Sequence, residues 1–160
     1  MGEGVAPKGI VLQVVSTTKT DTFSTSSASF EDVTGLTASI TPSSTSSKIL
    51  VLVSAACSRG TSGQVLFVSL FDGSNNNLIV PTSPGSRTPS FAFGAQGDSA
   101  TIAPYSFSLL HSPATTSSFT YKVKGYATSG TFLLNRSQAD ENIAARGRNV
   151  STITLMEVAG

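Results

Sequence analysis

Residues 40–53 read ITPSSTSSKILVLV. From Thr41 to Ser47 every residue is a threonine, a serine or a proline; Lys48 follows, and then five aliphatic residues run from Ile49 to Val53. Such a junction is either a linker between domains or a loop whose next strand enters a core. The flanks decide between them. Upstream, Leu36, Ala38 and Ile40 alternate with Thr37, Ser39 and Thr41, as in a strand with one wet face. Downstream, residues 49–57 are apolar or small on both faces, which predicts a central strand covered on two sides. One core needs both segments, so the Ser/Thr run is a loop.

Period-2 alternation recurs along the chain. Ile10, Leu12 and Val14 oppose Val11, Gln13 and Val15, and residues 65–71 repeat the doubly apolar pattern. The turn signal DGSNNN at residues 72–77 predicts a hairpin between residues 64–72 and 78–80. Further strands are expected around Phe91 and Phe93, at 105–110, at 119–124, at 131–135 and at 151–158. Only QADENIAA, residues 138–145, could form a turn or two of helix. About eight to ten short antiparallel strands with Pro/Gly/Ser turns predict an all-β jelly-roll sandwich over residues 9–160, after an N-terminal arm at residues 1–8.

Composition narrows the function classes. The chain has 160 residues, of which 27 are Ser and 20 are Thr, whereas charged residues make up only 12 %. Apolar residues still reach 39 %, so the hydroxyls replace charge rather than core. A net charge of +1 with scattered basic residues gives no row of cations for phosphates, and no nucleic-acid partner is expected. The longest aliphatic run, Ile49 to Val53, is too short to span a bilayer, so no membrane insertion is expected.

No motif for catalysis, a cofactor or a metal emerges, and none of the three is expected. The single histidine, His111, could be combined on paper with Asp98 or Asp140, but it reads as a surface or interface residue in a turn. Cys57 follows VSAA and reads as a small buried hydrophobe. Asn135-Arg-Ser and Asn149-Val-Ser match the N-glycosylation pattern, which chance supplies readily in a Ser-rich chain.

Two loops could offer a receptor or glycan contact. Residues 72–77 supply Asp72, Asn75 and Asn76, and residues 81–98 supply Arg87 and Phe91 on a path fixed by Pro and Gly. Arg146 and Arg148 flank Gly147, with Asp140 and Glu141 upstream, and could pair within the subunit or across a subunit interface.

The phrases VVSTTKTDTFSTSS, FEDVTGL and TPSSTSSKILVLVS, with SSFTYKVKGYATSGT and STITLMEVAG nearer the C-terminus, resemble a domain of tail fibres and other virion proteins of tailed bacteriophages, of the marine and cyanobacterial type. Such domains are similar to the trimeric jelly rolls of the tumour-necrosis-factor and C1q kind. The resemblance implies a non-enzymatic virion protein at the tail or capsid surface, a threefold symmetric homotrimer associated with other virion structural proteins. As a tail-fibre tip it would bind a host-surface polysaccharide. The alternatives it leaves are capsid decoration, as a cement or head-fibre protein, and a carbohydrate-binding module outside a virion.

Overall fold

A computed structural model describes residues 8–60, 64–82, 84–94 and 100–160. The arm expected at residues 1–8 lies outside them except for Lys8. The described chain forms ten strands: β1 (Val11–Lys19), β2 (Phe23–Thr25), β3 (Glu31–Ile40), β4 (Lys48–Arg59), β5 (Leu66–Asp72), β6 (Ala92–Gly94), β7 (Ala103–His111), β8 (Phe119–Ala127), β9 (Phe132–Leu134) and β10 (Ser151–Val158).

Eight of them pair as a nested antiparallel ribbon: β1 with β10, β3 with β8, β4 with β7, and β5 with β6. Rolling the ribbon adds two pairings, β10 to β4 and β8 to β5. The result is one sheet ordered β1-β10-β4-β7 facing another ordered β3-β8-β5-β6, which is a jelly roll. The short strands β2 and β9 extend the first sheet beyond the end of β10, where Cys57 to Arg59 of β4 pair with β9.

Alternation sets the core. Ile49, Val51 and Val53 of β4 and Ile153 and Leu155 of β10 meet Leu66, Val68 and Leu70 of β5 and Tyr121 and Val123 of β8. Gly35 takes a left-handed φ of 83°, within the irregular stretch of β3 between Asp32 and Thr37.

The opening stretch behaves as a loop with a task. Glu157 is fully buried on β10, and among the described residues no cation pairs with it. Its Oε1 accepts from the Ser43 amide (2.7 Å), the Ser43 hydroxyl (2.6 Å) and the Ser47 hydroxyl (2.7 Å), while Gln13 donates to Oε2. Burial raises the carboxyl pKa, but those four donors outweigh it and bring it to about 2. The hydroxyl-rich loop is thus folded around a buried carboxylate.

Four expectations need correction. Residues 138–145 contain no helix; Arg136 and Arg148 close on Asp140, and Arg146 on Glu141. Residues 78–80 form no strand, because the chain turns away after Leu78 bonds Leu70 and leaves β5 to pair with β6. Strand β4 is central in its sheet, yet Leu50 and Leu52 are only half-buried because nothing described covers that outer face. His111 ends strand β7 rather than sitting in a turn; it is half-buried, its ring lies against Phe119 and Tyr121, and its Nδ1 is 2.8 Å from the Tyr121 hydroxyl.

Candidate functional site

On β5 the side chains of Leu66, Val68 and Leu70 enter the core, so Phe67, Ser69 and Phe71 stand on the outer face. The register places Phe67 opposite Phe93 of β6 on one side and Tyr126 of β8 on the other. Three rings therefore line up across three strands. Tyr126 and Phe67 stack at 5.0 Å and 12°, and Phe67 and Phe93 at 6.0 Å and 21°. Phe30 continues the row, 4.9 Å from Tyr126 and 5.2 Å from Phe71, in edge-to-face contacts.

The inner end of this row is closed. Tyr126 and Phe71 are buried, and the Lys124 ammonium lies 5.0 Å from the centre of the Phe71 ring. Lys124 and Lys122 both pair with Asp32, at 2.8 and 3.2 Å. Both lysines face outward, as their alternation with Tyr121 and Val123 requires, but on a central strand rather than an edge. Burial raises the Asp32 pKa, and the two lysines more than reverse this to leave it low.

The outer end is open. Phe93 is 69 % exposed and forms one wall of a cleft of about 660 Å³ with Phe67. Pro81, Pro84 and Arg87 contribute the opposite loop, and Thr82, Ser86, Thr88, Ser90 and Thr128 supply hydroxyls. Thr88 and the Tyr126 hydroxyl are 3.3 Å apart, which fastens the loop to the ring row. At Gly94, beside Phe93, a Cβ would meet the Tyr105 hydroxyl, so a larger residue there would have to displace that ring.

Of the residues expected to contact a receptor, Arg87 lies in this cleft. It is exposed, donates to the Pro84 carbonyl at 3.3 Å, and forms no ion pair among the described residues. Phe91 does not line it. Its ring stacks on Phe107 at 5.0 Å and packs against the core, and its amide bonds Val68. Two residues apart in one strand, Phe91 and Phe93 would share a face. Strand β6 begins only at Ala92, so they do not. The residue missed in favour of Phe91 is Phe93, and the strand start that separates them has no clear mark in the sequence.

Asp72, Asn75 and Asn76 sit together in a different place, at the end of β5. Asp72 accepts from the Ser74 amide, the Asn76 amide and the Asn76 side chain, and Asn75 adopts a left-handed φ of 68°. Burial raises the Asp72 pKa, and these bonds outweigh it. The Lys122 ammonium donates to Asn75 Oδ1 at 2.6 Å. The Asp72 oxygens are engaged in shaping the turn, while the Asn75 and Asn76 side chains stay exposed.

The remaining polar candidates are also engaged. Arg146 bonds Glu141 at 2.7 Å, and Arg148 bonds Asp140 through both terminal nitrogens, so each pairs within the chain. Asp140 is thereby committed away from His111, and Asp98 lies outside the described residues. Burial pushes the His111 pKa down and the Cys57 thiol up, the latter opposite to what a nucleophilic thiolate needs. Asn135 is buried with its amide bonded to Lys19, Asp21 and Ser151, which removes it as a glycosylation acceptor. Among the described residues no three metal-ligating side chains gather, and no helix is long and apolar enough to cross a membrane.

No protein-family profile matches the chain, and no curated protein matches it. In fold it is similar to the infectious bursal disease virus Gt strain structure, with a TM-score of 0.48 and 14 % identity over 91 % of this chain and 39 % of that one. It is likewise similar to the VP2 subviral particle of infectious bursal disease virus, at 0.47 and 13 % over 92 % and 38 %. The chain thus spans well under half the length of those proteins. Likeness this distant carries no functional conclusion.

Proposed function

We propose that this chain is a non-enzymatic surface domain of a virion that attaches to host-envelope polysaccharide through the Phe67–Phe93 cleft. One observation carries the reading: a largely exposed aromatic ring, held on a sheet, opens onto a cleft rimmed by hydroxyls and one arginine. Exposed aromatic faces and hydroxyl donors are what pyranose rings require, C–H faces against the ring and hydrogen bonds around the edge. The likeness of TPSSTSSKILVLVS to tailed-phage virion domains supports placing the chain on a phage particle, as a tail-fibre tip. An array of bacterial envelope polysaccharides tests the attachment. Wild-type protein should bind a subset, and Phe93→Ala should lose the signal while keeping its melting temperature. No signal on any polysaccharide, or an unchanged one in that variant, contradicts the reading.

The same proposal includes a homotrimer, supported by the outer face of the first sheet. Val14, Met156, Leu50 and Leu110 stand in one row across its four strands. Val14 is 55 % and Leu110 52 % exposed. A flat, nearly uncharged aliphatic band of this kind is what a subunit interface covers. Light scattering at micromolar concentration should give close to three times 16.4 kDa. The double variant Val14→Lys/Leu110→Lys should give the single-chain mass. A wild-type monomer would contradict the trimer. Capsid decoration is a second reading favoured by that band, since it could equally lie against a shell. Regular copies of the chain on the capsid rather than the tail, in an electron-microscopy map of the particle, would select it.

A further inference from the structure

The ring row specifies more than a saccharide. The centroid spacings of 5.0 and 6.0 Å lie near the separation of adjacent strands, about 4.8 Å, and the interplanar angles are 12° and 21°. Flat-lying rings at that spacing would overlap at their edges. Tyr126, Phe67 and Phe93 therefore stand on the sheet as an offset stack, each ring facing the next. Among the described residues β6 is the last strand of its sheet, and the stack ends at Phe93. One face of that ring has no described ring against it, which agrees with its exposure. Phe93 lines the same cleft as Pro84 and Arg87 of the facing loop.

Among the described residues, Arg87 is the only charged side chain lining that cleft. Its guanidinium makes one long hydrogen bond to a carbonyl and no ion pair among the described residues, so most of its five donors have no protein partner there. A single cation is too little for a run of phosphates and well suited to one anionic group held bidentately. On the reading that the cleft holds a saccharide, we propose that the sugar is acidic: a pyranose whose C–H face packs on the exposed Phe93 ring and whose single anionic substituent, carboxylate or sulfate, is held by Arg87. The ring faces supply shape selection, and the guanidinium supplies charge selection.

Titration calorimetry can separate the two contributions. The probes are trimers of galacturonic and of mannuronic acid, the same trimers as methyl esters, and a sulfated galactan trimer with its desulfated counterpart. Wild-type protein should bind at least one acidic trimer roughly tenfold or more tightly than its neutral counterpart. In Arg87→Gln that ratio should fall to about one. Phe93→Ala should weaken acidic and neutral forms by similar factors. Whether a carboxylate or the sulfate gives the preference identifies the anion. Equal affinity for acidic and neutral forms in the wild type, or a preference that survives Arg87→Gln, overturns the acidic assignment and leaves the saccharide cleft standing. Absence of binding by every trimer, acidic and neutral, overturns both. Full affinity in Phe93→Ala overturns the stacking geometry.

Discussion

Two loops of this chain are almost indistinguishable in composition. Residues 41–47 read TPSSTSS, and residues 81–90 read PTSPGSRTPS. The first folds inward: Ser43 and Ser47 donate to the buried Glu157, and the Ser47 amide closes a turn on the Ser44 carbonyl. The second folds around a space, with Ser86, Thr88, Ser90 and Arg87 lining the cleft beside Phe93. The difference comes from the strand each loop meets. A carboxylate on β10 consumes hydroxyls, whereas an aromatic ring on the edge strand β6 has no use for them. Hydroxyl content alone therefore says nothing about whether a loop is structural or open to a ligand; the residue facing it does.

The comparison breaks first, if it breaks, at Glu157. Replacing it with Gln puts an amide donor among four donors and leaves hydrogen bonds to a charged group unmade. The expected cost is about 3 kcal/mol, or roughly 6–12 °C in melting temperature for a domain of this size. An unaltered melting curve for Glu157→Gln would show that the first loop is not held by the carboxylate. The pH dependence follows from the same group. Its folded pKa of about 2 lies below the usual 4.5, so its contribution is complete above about pH 4.5 and fades as pH falls toward about 2. Denaturant melts of wild type and Glu157→Gln should therefore converge between those limits. A gap that stays constant from pH 7 to pH 2.5 would contradict the depressed pKa.

On the other loop the expected effects move from stability to binding. Phe93→Ala should weaken saccharide binding by at least roughly tenfold, about 1.4 kcal/mol, while changing stability much less than Glu157→Gln does, because the ring is largely exposed. A melting temperature lowered as far as in Glu157→Gln would make Phe93 a structural residue. The finest contrast pairs two serines. Ser47→Ala should cost about 1–2 kcal/mol by removing a buried donor from a charged acceptor, and Ser86→Ala should stay within about 0.5 kcal/mol. Urea melts of the two variants, run side by side, would erase the distinction between the loops if their midpoints moved together.

Much of the architecture could be read from alternation. The alternating segments at residues 36–40, 119–124 and 151–158 each lie in one strand, and at Leu36, Ala38 and Ile40 the inward face is the one read, because a half-buried strand writes its two faces into the sequence. Doubly apolar runs were ambiguous. Residues 49–53 look the same whether the second face is covered or bare, and here Leu50 and Leu52 are only half-buried. The short strand β2 was unreadable, since three residues carry too little pattern and it is held by pairing with β9. The candidate site was half legible. Pro and Gly marked residues 81–98 as the irregular loop, and Arg87 does line the cleft. Phe91 and Phe93 could not be told apart, because their exposure depends on where β6 begins. The paired roles of Asp72 with Asn76 and of Arg148 with Asp140 depend on loop closures that sequence distance does not encode.

The central claim, that the cleft beside Phe93 is where a host polysaccharide sits, is tested most directly by nuclear magnetic resonance of protein labelled at its phenylalanine rings and arginine side chains. Titration with an array-positive polysaccharide fragment should shift the Phe93, Phe67 and Arg87 signals together, while the stacked pair Phe91 and Phe107 and the buried Phe132 stay still. Shifts confined to the neighbourhood of residues 72–77, or to the first sheet around Val14 and Leu110, with the Phe93 and Arg87 signals unmoved, would contradict it.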